Sequence, residues 1–236
     1  MNLPKTKQKP KQSLTDFTMF LHGNSKIGKT ELCSQIPDAI FLATEAGHNH
    51  VEAFVQPIHD WDEFLTACAE IANGEHAFNC VIIDTVSNLF QFCSEAVCAK
   101  NKIRHESDLG YGKGHALVRN EFTRAITKLS MLGLGLVMIA HSNEIKIETR
   151  TGKRTRLVPN LPEKIRQYLT GMADIIGYCC MEPVSDGSDG SRLQRVMHTK
   201  PSPDFDAGDR TGRLPAILPL DYTVFTEAFQ KAIINN

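Results

Sequence analysis

A glycine-rich segment between a short apolar run and a helical run most constrains the fold of this chain. Its residues, with the one that follows, are Gly23, Asn24, Ser25, Lys26, Ile27, Gly28, Lys29, Thr30 and Glu31. Glycines let backbone N–H groups converge on phosphate oxygens, and the following helix presents its positive end to the anion. In a G-x-x-x-x-G-K-T segment the lysine reaches the β- and γ-phosphates and the threonine binds Mg²⁺. The segment predicts a site for ATP and Mg²⁺; the alternative is a plain glycine turn before a helix.

Short apolar runs alternate with amphipathic stretches over the first part of the chain. The apolar runs cover 17–22, 39–43, 80–83 and 134–140, and helical patterns cover 29–36, 61–72, 86–102 and 116–131. Buried strands separated by helices predict an α/β fold with a mostly parallel sheet flanked by helices. A hairpin over 145–158, strands over 174–181 and 191–200, and a helix over 223–234 add an antiparallel C-terminal extension.

Polar residues stand where three of the predicted strands end, the edge at which parallel sheets bind ligands. Asp84 ends the run Val81-Ile82-Ile83 and, with Thr30, is a candidate Mg²⁺ ligand; it could instead cap the next helix. Glu45 could orient or deprotonate an attacking water, or be a surface or capping glutamate. His141 could touch the γ-phosphate, or be a buried histidine that closes a strand.

Composition limits the classes of function. The net charge is −1 and the sequence pI is about 6.7, so any nucleic-acid binding requires a local basic surface. The seven cysteines are scattered without a C-x-x-C pair, which favours reduced thiols and a cytoplasmic protein. His48 and His50 lack partners at metal-site spacing. No apolar stretch is long enough to cross a membrane. We expect residues 1–14 to form a flexible basic arm and 15–236 a single domain.

The nucleotide motifs together resemble the RecA-like core ATPases. The resemblance is closest to a phage family of AAA-domain nucleotide-binding proteins linked to single-strand annealing and recombination. It covers about 17–215 and also rests on the weaker stretches 110–114, 139–142 and 208–215. It implies that Glu45 activates water in ATP hydrolysis. His141 stands where bacterial RecA usually has a glutamine, so the coupling between ATP and DNA departs from the family pattern.

The resemblance also implies two loops that contact single-stranded DNA, at about 100–115 and 143–166. Both are rich in basic residues, which agrees with salt-sensitive, sequence-tolerant binding. The candidate residues are Lys102, Arg104, Lys113, Lys146, Arg150, Lys153, Arg154 and Arg156. The alternative is a solvated edge hairpin whose cations discourage aggregation.

In RecA-like oligomers, a basic residue of the neighbouring subunit completes the ATP site. The resemblance therefore implies a homo-oligomer, either a ring or a filament. Arg210 is the first candidate for this trans-acting catalytic residue and Lys200 is the second. Phage or host recombination and replication proteins are possible further partners. The host cytoplasm is the expected location of a phage protein.

Two rival functions remain open from the residues. One is a nucleotide-dependent scaffold or regulator whose basic hairpin meets a protein partner. The other is a helicase or helicase loader with the same core. A metabolic kinase is disfavoured because the sequence shows no obvious lid or acceptor-substrate motif.

Overall fold

A ten-stranded mixed sheet forms the centre of the computed structural model, which describes residues 3, 5–7, 9–149, 152–185 and 191–234. Its strands are β1 Thr18–Gly23, β2 Ala39–Ala43, β3 Phe54–Pro57, β4 Cys80–Asp84, β5 Gly135–Thr149, β6 Gly152–Pro159, β7 Ile175–Ser185, β8 Ser191–His198, β9 Gly208–Asp209 and β10 Ile217–Pro219. The helices are α1 Lys29–Ser34, α2 Trp61–Asn73, α3 Val86–Lys100, α4 Lys113–Ser130, α5 Glu163–Met172 and α6 Tyr222–Ile234. Short 3₁₀ turns lie at Leu14–Asp16 and Glu106–Leu109.

The order of the strands is β10-β8-β7-β1-β5-β4-β2-β3. Every neighbouring pair from β7 to β3 is parallel, whereas β8 and β10 are antiparallel to their neighbours. β6 pairs antiparallel with the distal half of β5, and β9 pairs antiparallel with β7. The predicted α/β fold with antiparallel C-terminal strands is confirmed.

Two hydrophobic cores cover the two faces of the sheet. Successive strand residues point to opposite faces, so Phe20 packs on one side while Met19 and Leu21 pack on the other. The first core includes residues of α2, α3, α4 and α5, and the second includes residues of α1 and α6. The near-continuous apolar runs of the sequence thus reflect burial on both faces.

The structure adds elements that the sequence patterns did not predict. The residues of β3 are all exposed and the strand ends on Pro57, so it lacks the signature of a buried strand. The helix α5 was also missed. The fourth apolar run and the first arm of the predicted hairpin belong to one long strand, because β5 continues past His141 to pair with β6. In the described part of the chain, no helix is long and apolar enough to cross a membrane.

His22 is a fully buried polar residue on β1 that ties three segments together. Its Nε2 lies 2.6 Å from the carbonyl oxygen of Asp206, and its Nδ1 lies 2.9 Å from the Ser142 hydroxyl. A carbonyl only accepts, so Nε2 carries the proton and Nδ1 accepts from Ser142. Burial lowers the pKa of His22 to about 4.

We predict that His22 makes the protein sensitive to acid. Its ordinary pKa is 6.5, so the unfolded chain takes up the proton before the folded protein does. The free energy of unfolding should therefore fall by about 3 kcal/mol between pH 6.5 and 4 through this residue. Urea unfolding across this range should show a shallower pH dependence for His22→Gln than for the wild type. Equal pH dependence in the two proteins would contradict the assignment.

Candidate functional site

A cavity of 420 Å³ lies beyond the carboxyl ends of the central parallel strands. Strand register places the residues of its walls side by side. Gly23 of β1 is level with His141 of β5. Ala43 of β2 is likewise level with Asp84 of β4. The lining residues are Ser25, Lys26, Gly28, Lys29, Thr30, Glu31, Glu45, Ala46, Gly47, His50, Asp84, His141 and Arg195. The structure thus groups the strand-end residues with the glycine-rich loop.

The glycine-rich loop curls through left-handed backbone conformations. Lys26 has φ 61° and Gly28 has φ 106°. A Cβ on Gly28 would be strained at this φ and would also lie 2.7 Å from Nη1 of Arg195. Ile27 is buried in the core beneath the loop, so this predicted binding residue anchors the loop and does not line the cavity. Gly23 and Asn24 take part through their backbone carbonyl oxygens, which accept hydrogen bonds from Lys29.

Those two carbonyls hold the buried ammonium group of Lys29. Its Nζ donates hydrogen bonds to the carbonyl oxygens of Gly23 at 2.9 Å and Asn24 at 2.8 Å. Burial lowers the pKa of Lys29, while the nearby Cys179 and the carboxylates of Asp84 and Glu45 act to raise it. The loop therefore positions a desolvated cation at the wall of the cavity.

Thr30 and Asp84 form an oxygen-rich pair at the start of α1. The Thr30 hydroxyl donates to Oδ2 of Asp84 at 2.7 Å, and Asp84 is buried. Nε2 of His48 is 3.2 Å from the same oxygen but lacks hydrogen-bond geometry. A buried carboxylate beside a hydroxyl is a donor set that suits Mg²⁺, because this ion prefers oxygen ligands and would compensate the buried charge.

Glu45 and His141 face each other across the cavity. Oε1 of Glu45 lies 3.6 Å from Nε2 of His141, and Oε2 accepts a hydrogen bond from the Asn88 amide at 3.4 Å. Nδ1 of His141 is buried and has no hydrogen-bond partner among the residues that the structure describes. Both side chains are about one-third exposed, so water can reach the carboxylate. This partly exposed carboxylate can act as a base or orient a water molecule.

Arg210 and Lys200, the predicted trans-acting residues, lie outside this cavity. Arg210 pairs with Asp174 at 3.0 Å and donates to the carbonyl of Gly171 at 2.7 Å. Asp174 precedes β7 at the edge where the parallel strands begin, opposite the cavity. Lys200 pairs with Asp209 at 3.2 Å.

The carboxylate that holds Lys200 is stabilised in its charged form. Burial alone would raise the pKa of Asp209, but hydrogen bonds from Thr211, Leu214 and Lys200 lower it. Within one subunit, neither Lys200 nor Arg210 can complete the site, because neither borders it. A role in a neighbouring subunit stays a prediction.

The predicted DNA-contacting residues divide into exposed and paired cations. Lys102, Arg104, Lys113 and Lys146 are exposed. Arg154 pairs with Asp204 and Arg156 pairs with Asp206, both at 2.8 Å. Lys153 lies 3.7 Å from Glu148 in a highly exposed pair, and Arg150 falls outside the described residues. The segment before β9 thus pairs both arginines with carboxylates, and a DNA contact of the hairpin stays a prediction.

Arg195 is a cavity residue that the sequence reasoning missed. It lies on β8, and its Nη1 is 2.7 Å from Oε2 of Glu31. The available signal was strand periodicity, because Arg195 shares a face of β8 with the buried Met197. The pattern places the half-exposed Arg195 beside the buried Met197, but it does not identify the partner of the arginine.

Comparison with known proteins gives one family-level match. A family model described as an AAA domain matches residues 15–211, which is most of the chain. A search among curated proteins found no significant match.

Gly23 offers a test of the packing that positions the loop. A Cβ on Gly23 would lie 2.2 Å from the carbonyl oxygen of Cys179, in the backbone of β7. We predict that Gly23→Ala lowers the free energy of unfolding by about 1–3 kcal/mol, because backbone must move to relieve the clash. Gly47→Ala is the matched control, since its Cβ would meet nothing within 4 Å. Chemical denaturation should separate the two variants; equal stability would show that β1 and β7 can part without cost.

Proposed function

The chain belongs to the AAA-domain family, and from this premise we propose that it is a RecA-like, Mg²⁺-dependent ATPase that binds single-stranded DNA. The observation that carries the proposal is the cavity in which Lys29, Thr30, Asp84, Glu45 and His141 meet. These residues come from the glycine-rich loop and from three strand ends, so their convergence depends on the whole parallel sheet.

Each wall residue fits one part of ATP hydrolysis. Backbone N–H groups of the loop and the ammonium group of Lys29 would bind the phosphates. Thr30 and Asp84 would hold Mg²⁺, which neutralises phosphate charge when bound. Glu45 would orient the attacking water and accept its proton as the bond to the γ-phosphate forms and the bond to ADP breaks. Lys29 would stabilise negative charge on the phosphates.

His141 offers a physical connection between nucleotide and DNA. It lies where β5 leaves the central sheet, and the next residue, Ser142, is the first to pair with β6. Its contact with Glu45 would report the state of the γ-phosphate to the β5–β6 hairpin. Its buried Nδ1 has no hydrogen-bond partner within the described part of the chain, which fits a side chain that changes hydrogen bonds during function.

DNA binding rests most firmly on the exposed cations of the loop between α3 and α4. Lys102 and Lys113 are exposed, and Tyr111 between them is fully exposed with φ 48°. An aromatic ring held in solvent beside cations is suited to stack on an unpaired base. Lys146 and Lys153 of the hairpin would add phosphate contacts.

The biological task we propose is strand annealing or recombination during phage replication, by a homo-oligomeric ring or filament. This part rests on the resemblance to phage AAA-domain proteins. The second candidate is a nucleotide-dependent scaffold in which ATP controls a protein contact, and the pairing of Arg154 and Arg156 with Asp204 and Asp206 favours it. An ATPase rate that does not change when single-stranded DNA is added would favour this second candidate.

Substitutions in the cavity should separate nucleotide binding from hydrolysis. Lys29→Ala should weaken ATP binding by about 10–100-fold, because a charge-assisted contact to phosphate is lost. Glu45→Gln should keep ATP affinity and slow hydrolysis by about 10²–10⁴-fold, because the amide cannot accept the proton. Nucleotide titration and phosphate release measure the two effects. Glu75→Gln, an exposed carboxylate in the turn after α2, serves as the control. Normal hydrolysis by Glu45→Gln would remove Glu45 from the mechanism.

A paired lysine variant tests the DNA surface. The double variant Lys102→Ala with Lys113→Ala should weaken binding of a labelled single strand and flatten its salt dependence. The expected loss in log–log slope is about 0.7 for each phosphate contact removed. The control double variant, Lys128→Ala with Lys231→Ala, removes the same charge from exposed helix positions. Equal salt slopes for the two double variants would refute the assignment of this loop.

A further inference from the structure

β8 brings an arginine to the glycine-rich loop from the antiparallel extension. Nη1 of Arg195 lies 2.7 Å from Oε2 of Glu31 and borders the cavity. The guanidinium also sits where a side chain on Gly28 would be, since a Cβ there would come within 2.7 Å of Nη1. The absence of a side chain at Gly28 therefore makes room for Arg195 above the loop.

The first turn of α1 separates this arginine from the carboxylate cluster. Thr30 faces Asp84 at 2.7 Å, while the next residue, Glu31, faces Arg195. Consecutive helix residues point in different directions, about 100° apart. Arg195 and the Asp84 carboxylate thus approach the cavity from different sides.

Arg195 can exchange Glu31 for another anion at little cost in stability. Their side chains are 48% and 51% exposed, and exposed ion pairs contribute little to stability. A phosphate group carries more charge than a carboxylate and accepts two parallel hydrogen bonds from a guanidinium. A polyphosphate in the cavity would therefore compete well for Arg195.

We propose that Arg195 is a nucleotide-binding residue, supplied by the same subunit, that exchanges Glu31 for the phosphates common to ATP and ADP. The inference rests on the proposed function. The γ-phosphate belongs on the side of Lys29, Thr30 and Asp84, because the lysine reaches the β- and γ-phosphates and the threonine binds the metal. Arg195, on the other side of α1, then meets the α- and β-phosphates. It retains bound nucleotide and does not act on the γ-phosphate.

Binding of ADP and of a non-hydrolysable ATP analogue tests this assignment. Arg195→Ala should weaken both ligands by the same factor, about 10–100-fold, because both carry the phosphates that Arg195 contacts. Arg195→Lys should recover part of the loss, since it restores the charge without the fork of donors. Arg192→Ala is the matched control, an exposed arginine on the same strand. A loss confined to the ATP analogue, or no loss at all, would overturn the proposal.

Glu31→Gln tests the exchange itself. Releasing Arg195 from its partner should tighten ADP binding several-fold in the wild-type background, and by less in the Arg195→Ala background. Equal gains in both backgrounds would overturn the exchange, because they would reflect charge removal alone.

The variant Lys29→Ala distinguishes failure of the role proposed for Arg195 from failure of the proposed nucleotide site. If Lys29→Ala weakens binding and Arg195→Ala does not, the nucleotide site stands and the role of Arg195 fails. If the wild-type protein binds neither nucleotide, the proposed function fails as well. Thermal unfolding of each variant confirms that lost binding is not lost folding.

Discussion

Parallel pairing of the central strands is the constraint on which the cavity depends. β4 lies between β2 and β5, and β5 lies between β4 and β1, so their carboxyl ends share one edge. Strand register then fixes the neighbours of each residue: Asp84 is level with Ala43 on one side and with Ile139 on the other. Moving one strand by a single residue would turn its side chains to the opposite face and separate the groups that now meet.

Two buried charges give this edge its chemical character. Lys29 and Asp84 are both nearly inaccessible, and an isolated buried charge is strongly unfavourable. Lys29 is held by two loop carbonyls, and Asp84 accepts from the hydroxyl of Thr30 and lies 3.2 Å from Nε2 of His48. The buried Nδ1 of His141 finds no hydrogen-bond partner in the described ranges, which adds to the unfavourable free energy of this edge. Such an arrangement is typical of a site organised for a charged ligand and not for stability alone.

The antiparallel extension is part of the site, although it lies outside the parallel core. β8 carries Arg195 to Glu31, and the segment before β9 supplies Asp204 and Asp206 to the arginines of β6. The extension therefore adds a cation at the cavity and removes free cations from the hairpin. Both effects arise because β8 and the segment before β9 return across the sheet. The distribution of charge on the surface therefore differs from the distribution along the sequence.

Local patterns alone determined the glycine-rich loop, its lysine, the strand that ends on Asp84 and the order of most elements. Each depends on neighbouring residues or on periodic burial, which short segments display directly. The exposed strand β3 lacks a signal of this kind, whereas the helix α5 has apolar residues at helical spacing, Ile165, Leu169 and Met172; both escaped prediction. Only the tertiary structure decided which cations reach the cavity. Arg195 does so from 164 residues beyond Glu31, while Arg210 is held by Asp174 at the opposite edge. No local pattern contains these pairings, because they arise from the return of the chain across a completed sheet.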